Sequence, residues 1–206
     1  MTADRAAIAK EVTGLLEQTG ALKTGHFVLS SGLHSDRYCQ CAALFERPEV
    51  GARVAELMAQ SLPRDLRVDV VLAPALGGVL WGYDLARALR ARSVFAEREG
   101  SARTFALRRG FQIAQGQRVL LAEDVITTGG SILEVAPLAE AAGATIVGVA
   151  AVVDRSGGAS RTSLGSRWPV WSLVELGFRT YEADKVPPDL AAIPVQKPGS
   201  RTLTAT

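Results

Sequence analysis

Apolar residues along this chain alternate between two rhythms, helical spacing and short unbroken runs. Ile8, Val12, Leu15 and Leu16 fall at helical spacing within residues 4–19, and Gly20 follows where a helix can end. Residues 26–31 read as a short strand, 32–37 as a loop, and a second strand begins at Tyr38. Pro48 stands where a helix can start, with Val50, Val54, Leu57 and Met58 as its apolar face. Residues 68–73 are a continuous apolar run, the kind buried on both faces of a parallel sheet. The turn Pro74-Ala75-Leu76-Gly77-Gly78 follows, then a helix to about residue 90 and strands at 94–96 and 119–122. A helix is expected at 131–142, closed by Gly143, with Pro137 kinking it or leaving its first half irregular. The next strand is 145–153. After Gly158 the pattern loosens, with one more strand near 170–176 and a proline-bearing tail from Pro187 expected on the surface.

Strands alternating with helices predict an α/β fold, a mostly parallel central sheet flanked by helices on both faces. A single domain over residues 1–206 is expected. Ligands in such folds sit at the carboxyl ends of strands. Three of these ends carry small or polar residues, at 74–78, 123–131 and 154–158.

Composition narrows the class. A chain of 206 residues with 48% hydrophobic content can bury a core of its own. With 23 basic against 21 acidic residues the formal net charge is +2, too balanced for a dedicated nucleic-acid binder. No apolar run is long enough to span a bilayer, and the opening residues are amphipathic and charged, unlike a signal peptide. No membrane partner is expected, and a cytoplasmic location is. Cys39 and Cys41 cannot make a disulfide framework or a closed zinc site, and read as core-lining thiols in a reducing compartment.

The candidate chemistry concentrates in residues 118–132, RVLLAEDVITTGGSI. An apolar run meets two adjacent carboxylates, Glu123 and Asp124. A loop of small and hydroxyl residues follows, Thr127, Thr128, Gly129, Gly130 and Ser131, and then a helix. Backbone N–H groups at a helix start lack intrahelical partners and sit at the positive end of the dipole, so they bind anions. The loop suits a phosphate. The carboxylates suit what a phosphate is attached to: sugar hydroxyls, or a magnesium ion. There is no GxGxxG after a strand and no GxxxxGK[ST], which disfavours a dinucleotide site and a P-loop ATPase.

The same stretch resembles the phosphoribosyl pyrophosphate (PRPP) motif of type I phosphoribosyltransferases. GHFVLSSGLHSDRY (residues 25–38) looks like the N-terminal hood of the orotate phosphoribosyltransferases, placed here at about residues 20–45. LAPALGG (72–78) sits where that family has its pyrophosphate loop, and VVDRSGG (152–158) resembles its strand ending in Asp-Arg. The resemblance implies a small hood and transfer of the phosphoribosyl group of PRPP to orotate, giving orotidine 5′-monophosphate and pyrophosphate in pyrimidine biosynthesis. It implies that Glu123 and Asp124 hold the ribose hydroxyls and order Mg2+ through substrate and water, with no direct protein–metal bond. Val125, Ile126, Thr127, Thr128, Gly129, Gly130 and Ser131 would cradle the 5′-phosphate. Ala75, Leu76 and Gly77 would face pyrophosphate. Thr127 and Arg155 would meet orotate, the arginine through its planar fork. Taken alone, Arg155 is a surface arginine by default.

Such a transfer has oxocarbenium character and asks for positioning and charge handling. The family's cations come from a mobile loop, matched here by residues 97–111, EREGSARTFALRRGF. Arg98 matches the family's arginine at its start. Arg103, Arg108 and Arg109 are further loop cations, or members of a solvated charged hairpin. Family members are homodimers that share the loop across the interface, so the same is expected here.

This sequence departs from the best-known members. They carry lysine where it has Ser30 and Gly77, and further lysines and a histidine where it has Glu99, Ala102 and Thr104. His34 reads as a substitute cation or as a polar loop histidine without function, and residues 197–201, with Lys197 and Arg201, as added charge near a site or, by default, a solvated tail. Two alternatives therefore stand beside the orotate reaction: a purine-base phosphoribosyltransferase, and a PRPP-binding regulatory protein without turnover.

Overall fold

The computed structural model describes residues 4–29, 31–101 and 103–198; Ser30, Ala102 and Arg201 lie outside them. Helix α1 (Arg5–Gln18) starts where the Asp4 side chain accepts the Ala6 N–H at 3.0 Å, and buries Ile8, Val12 and Leu16. Strands β1 (Leu22–Val28) and β2 (His34–Cys39) form an antiparallel pair, and a 3-10 turn (Cys41–Glu46) leads to α2 (Pro48–Ser61). Pro48 lies in the first turn of α2, where its missing N–H has no partner to lose, and Glu49 suits the helix dipole there.

The central part runs β3 (Val70–Pro74), α3 (Gly78–Leu89), β4 (Arg92–Glu99), β5 (Thr104–Leu107), β6 (Arg118–Ile126), α4 (Gly130–Ala141) and β7 (Thr145–Asp154). Then come α5 (Ala159–Ser163), β8 (Val170–Glu175), β9 (Thr180–Tyr181), α6 (Pro188–Ala191) and β10 (Val195–Gln196). Six strands form one sheet in the order β5-β4-β3-β6-β7-β8, parallel except for β5.

Alternation along each strand builds two cores. Val71, Ala73, Leu120 and Ala122 point to a face covered by α1, α2 and α3, with Trp81 and Leu85 among the buried side chains. Val70, Leu72, Val119 and Leu121 point to the opposite face, where α4 brings Ile132, Val135, Ala136 and Ala139. The buried Trp81 Nε1–H donates to the Ala150 carbonyl at 3.2 Å, which satisfies the indole. Asp69 accepts the Arg118 N–H and guanidinium at 2.6 to 2.9 Å, fixing the start of β6 beside β3. Those bonds hold the Asp69 carboxyl down to about 2. Because β3 and β6 are neighbours whose following helices lie on opposite faces, the strand order reverses between them. A crevice at such a reversal is where open α/β sheets bind ligands.

A second sheet, β10-β1-β2-β9, is the small hood. His26 and His34 meet across β1 and β2 at 2.6 Å, Nε2 to Nδ1, and His26 Nδ1 contacts the Ile193 carbonyl at 3.2 Å.

Several boundaries differ from the hydropathy reading. Residues 34–37, read as loop, are the first part of β2; their exposed face is polar and only Ser35 turns inward, so apolar alternation is missing. Strand β1 begins at Leu22, four residues before the expected start. Strand β6 runs on through both carboxylates to Ile126 instead of ending at Ala122. Residues 97–111 are not an open loop: β4 and β5 pair from Glu99↔Thr104 to Ala96↔Leu107 as a hairpin, and charged side chains hide the strand pattern. Helix α4 is continuous through Pro137. The tail from Pro187 carries α6 and the strand β10, which pairs in parallel with β1.

Candidate active site

Glu123 and Asp124 lie near the carboxyl end of β6, half-buried. Consecutive strand residues point to opposite faces, so the two acids reach different walls of the crevice. Ser131 at the start of α4 lies close enough to Glu123 to favour its charged form, which places that carboxylate against the loop after β6. Asp124 faces the loop after β3, since a Cβ on Gly77 would stand 3.2 Å from one of its oxygens. Burial pushes Glu123 up to about 7, with Asp124 adding repulsion, and burial raises Asp124 as well. Neither acid has an ion-pair partner among the described residues. Two desolvated carboxyls without a cation are costly to keep ionised, and become favourable once hydroxyl donors or a cation arrive.

The loop after β6 opens α4, a helix of 12 residues. Gly129 is its N-cap with φ +80, and a Cβ there would come within 2.9 Å of Leu164. Position 129 therefore needs glycine twice over, for its backbone and for the Leu164 contact. The Gly130 N–H is turned to Thr128 Oγ1 at 3.3 Å. Thr127 and Thr128 are exposed, whereas Ile126 is fully buried and its carbonyl accepts the Arg155 N–H at 2.9 Å. Val125 and Ile126 thus belong to the strand and support the loop from below, while Thr127 and Thr128 face outward and buried Gly129 anchors the helix start. The loop after β3 has a cis peptide between Ala75 and Leu76 and leaves Leu76 exposed.

Arg155 follows β7, on the other side of β6. Its turn is tightly made: buried Asp154 accepts the Ser156 N–H at 2.8 Å and the Ser160 hydroxyl, and Ser156 Oγ accepts the Ser160 N–H at 3.0 Å. The half-buried guanidinium lies over the Phe178 ring, 5.3 Å from its centroid, and its charge is felt by Tyr38 and Cys39 of the hood. Cys39 and Cys41 are buried free thiols with sulfurs 3.8 Å apart.

The hairpin arginines are placed differently. Arg98 gives two hydrogen bonds to Glu134 of α4, at 2.7 and 3.1 Å, and a third to the Arg103 carbonyl at 2.7 Å, over the face of Phe105. Arg109 is held two-pronged by Glu97 at 2.7 and 2.9 Å, and Arg108 lies 3.8 Å from Glu99. Arg103, at the turn with φ 52, has no side-chain partner among the described residues. Pairs this exposed to water are weak, so they park the arginines without locking them. His34 is engaged by His26 in the hood. Glu134, Ser160 and Phe178 were not visible as site residues in the sequence, because each acts through a fold contact and none belongs to a motif.

Three strand ends thus bring together the acidic pair, the loops at 74–77 and 127–131, and Arg155. The phosphoribosyl transferase domain family matches residues 40–164 of this chain. The chain is 48% identical over 189 residues to the orotate phosphoribosyltransferase of Thermotoga maritima, covering 92% of this chain and 97% of that one. It is 42% identical over 194 residues to the enzyme of that name from Caldanaerobacter subterraneus, covering 94% and 98%. Among solved structures it resembles orotate phosphoribosyltransferase from Aeropyrum pernix, with a TM-score of 0.69 at 28% identity over 80% of this chain and 93% of that chain.

Proposed function

The chain belongs to the orotate phosphoribosyltransferases, within the wider phosphoribosyl transferase family, and on that footing we propose how its residues divide the work. It transfers the phosphoribosyl group of PRPP to orotate, yielding orotidine 5′-monophosphate and pyrophosphate for pyrimidine biosynthesis. The observation that supports this reading most is the pair of desolvated, cation-free carboxyls set between two ligand loops. Glu123 and Asp124 accept the ribose hydroxyls. The start of α4, with Thr127, Thr128 and Ser131, receives the 5′-phosphate. Residues 75–77 face pyrophosphate, Arg155 grips the orotate carboxylate, and Thr127 lies beside orotate.

No group of three or more potential metal ligands occurs among the described residues. Two adjacent carboxylates fit Mg2+ held mainly by phosphate oxygens and water, as that ion prefers. Bound there, Mg2+ would neutralise charge on the departing pyrophosphate. Glu123 and Asp124 would orient it through the ribose hydroxyls and water while keeping those hydroxyls in place. The hairpin arginines supply further positive charge, Arg103 directly and Arg98, Arg108 and Arg109 once released from their carboxylates.

The partner that completes the site is a second copy. Leu76 in the loop at 75–77 is 86% exposed, and Leu80 and Tyr83, one turn apart on α3 just after it, are 52 and 60% exposed. An apolar stripe of this size, next to the site, fits a homodimer interface. Sedimentation should show a dimer for the native protein and a monomer for Leu80→Asp, with turnover falling at least tenfold if the sites are shared. A native monomer, or an active Leu80→Asp monomer, would contradict this. A cytoplasmic place of work suits the two free thiols. No helix among the described residues is long and apolar enough to cross a membrane.

Loss of orotate absorbance with PRPP and Mg2+ tests the reaction. PRPP binding without orotate consumption would make the protein a regulator, and turnover of adenine or hypoxanthine instead would make it a purine enzyme.

A further inference from the structure

Arg155 differs from the other arginines around the site. Arg98, Arg108 and Arg109 each face a carboxylate, whereas no hydrogen bond or ion pair engages the Arg155 guanidinium among the described residues. What holds it is an aromatic face, the Phe178 ring at 5.3 Å. That ring is itself well anchored. Two residues before it, the Leu176 N–H donates to the Asp154 carbonyl at 2.8 Å, tying the end of β8 to the residue that precedes Arg155. One residue after it, the Arg179 N–H donates to Asp36 Oδ1 at 3.3 Å, tying the segment to β2 of the hood. Phe178 also packs against the first core through its partly buried side.

A guanidinium seated on a ring keeps its planar set of N–H donors unspent. A carboxylate in the same place would have held the arginine as firmly, but would have taken the donors that a substrate carboxylate needs. We propose that Phe178 is a positioning residue for orotate: it seats the Arg155 guanidinium so that the open fork meets the orotate carboxylate. This rests on the orotate reaction proposed above. Because Phe178 acts through Arg155, it contributes to acceptor binding equally in the ground and transition states, and its loss appears in KM for orotate and not in kcat.

The experiment compares Phe178→Leu, which keeps apolar bulk but no ring, with Phe178→Tyr, which keeps the ring. Steady-state kinetics vary orotate at saturating PRPP and PRPP at saturating orotate. Phe178→Leu should raise the orotate KM about tenfold, with kcat and the PRPP KM within about twofold of native, and Phe178→Tyr should return the orotate KM to within about twofold. An unchanged orotate KM in Phe178→Leu overturns the proposal. So does equal impairment of the two variants, which would make the ring a filler of space, or a parallel rise in the PRPP KM, which would mark general damage to the fold. Native protein that consumes no orotate removes the reaction and this inference together. Native turnover with a normal Phe178→Leu removes the inference alone.

Discussion

Changing Glu123 to Gln together with Asp124 to Asn is expected to lower kcat/KM for PRPP by about a thousandfold, since two hydrogen bonds to charged acceptors are lost at roughly 1.5 to 3 kcal/mol each. The same substitutions should make the ligand-free protein more stable at alkaline pH. The Glu123 carboxyl is raised from 4.5 to about 7 by burial. Below pH 4.5 the folded and unfolded states both carry the proton, and the group has no effect on stability. Between 4.5 and 7 the unfolded chain has released the proton while the folded chain keeps it, so stability falls as pH rises. Above 7 the loss is complete, at roughly 3 kcal/mol for the shift of about 2.5 units. Burial displaces Asp124 in the same direction. Glutamine and asparagine carry no charge to desolvate, so the thermal midpoint of the variant should exceed that of native protein by several degrees at pH 8, with little difference at pH 4.5. Calorimetry at the two pH values, alongside steady-state rates, checks both halves. Native rates would remove the acids from the ribose site; a lower midpoint at pH 8 would show that their burial carries no penalty. A further sign follows for native protein. Ribose hydroxyls bind best to the ionised acid, so the PRPP KM should fall as pH rises from 6 to 8.

Arg155→Ala is expected to lower kcat/KM for orotate about a hundredfold or more, with the PRPP KM nearly unchanged, because a charge-assisted, two-pronged hydrogen bond is lost at the acceptor end alone. The geometry supports that separation. Arg155 stands at the end of β7 beside hood residues, whereas the loop at 127–131 follows β6. Arg155→Lys should recover only part of the loss, since an ammonium offers a point charge instead of a planar fork and sits less well on Phe178. Rates are best measured with orotate varied at fixed saturating PRPP. An orotate KM unchanged in the alanine variant would place the acceptor carboxylate elsewhere.

Strands β3 and β7 were readable from sequence because they are buried on both faces along most of their length and are therefore apolar with little interruption. Residues 68–73 and 145–153 gave β3 and β7 to within two residues. Residues 118–132 were readable as a strand, an acidic pair and a glycine turn into a helix because each of these is a local feature. Elements with one polar face were harder to see. The first half of β2 and the β4–β5 hairpin carry charged or hydroxyl side chains outward, so they resembled loops. Pairings distant in sequence left no trace at all. Arg98 with Glu134, and Arg155 with Phe178, are contacts that only the folded chain creates. For that reason Arg98 could be matched to a family position, but its resting place on α4 could not be foreseen.

The hairpin also ends one edge of the central sheet, and that bears on behaviour at high concentration. Its outer strand β5 has only 4 residues, and Arg108 just beyond it carries a charge into solvent. An edge so short and so flanked by charge is a poor template for the strand of a neighbouring molecule. At high concentration the sheet therefore offers a neighbouring molecule neither the length nor the apolar surface to add a strand at this edge, which favours dispersed over aggregated protein.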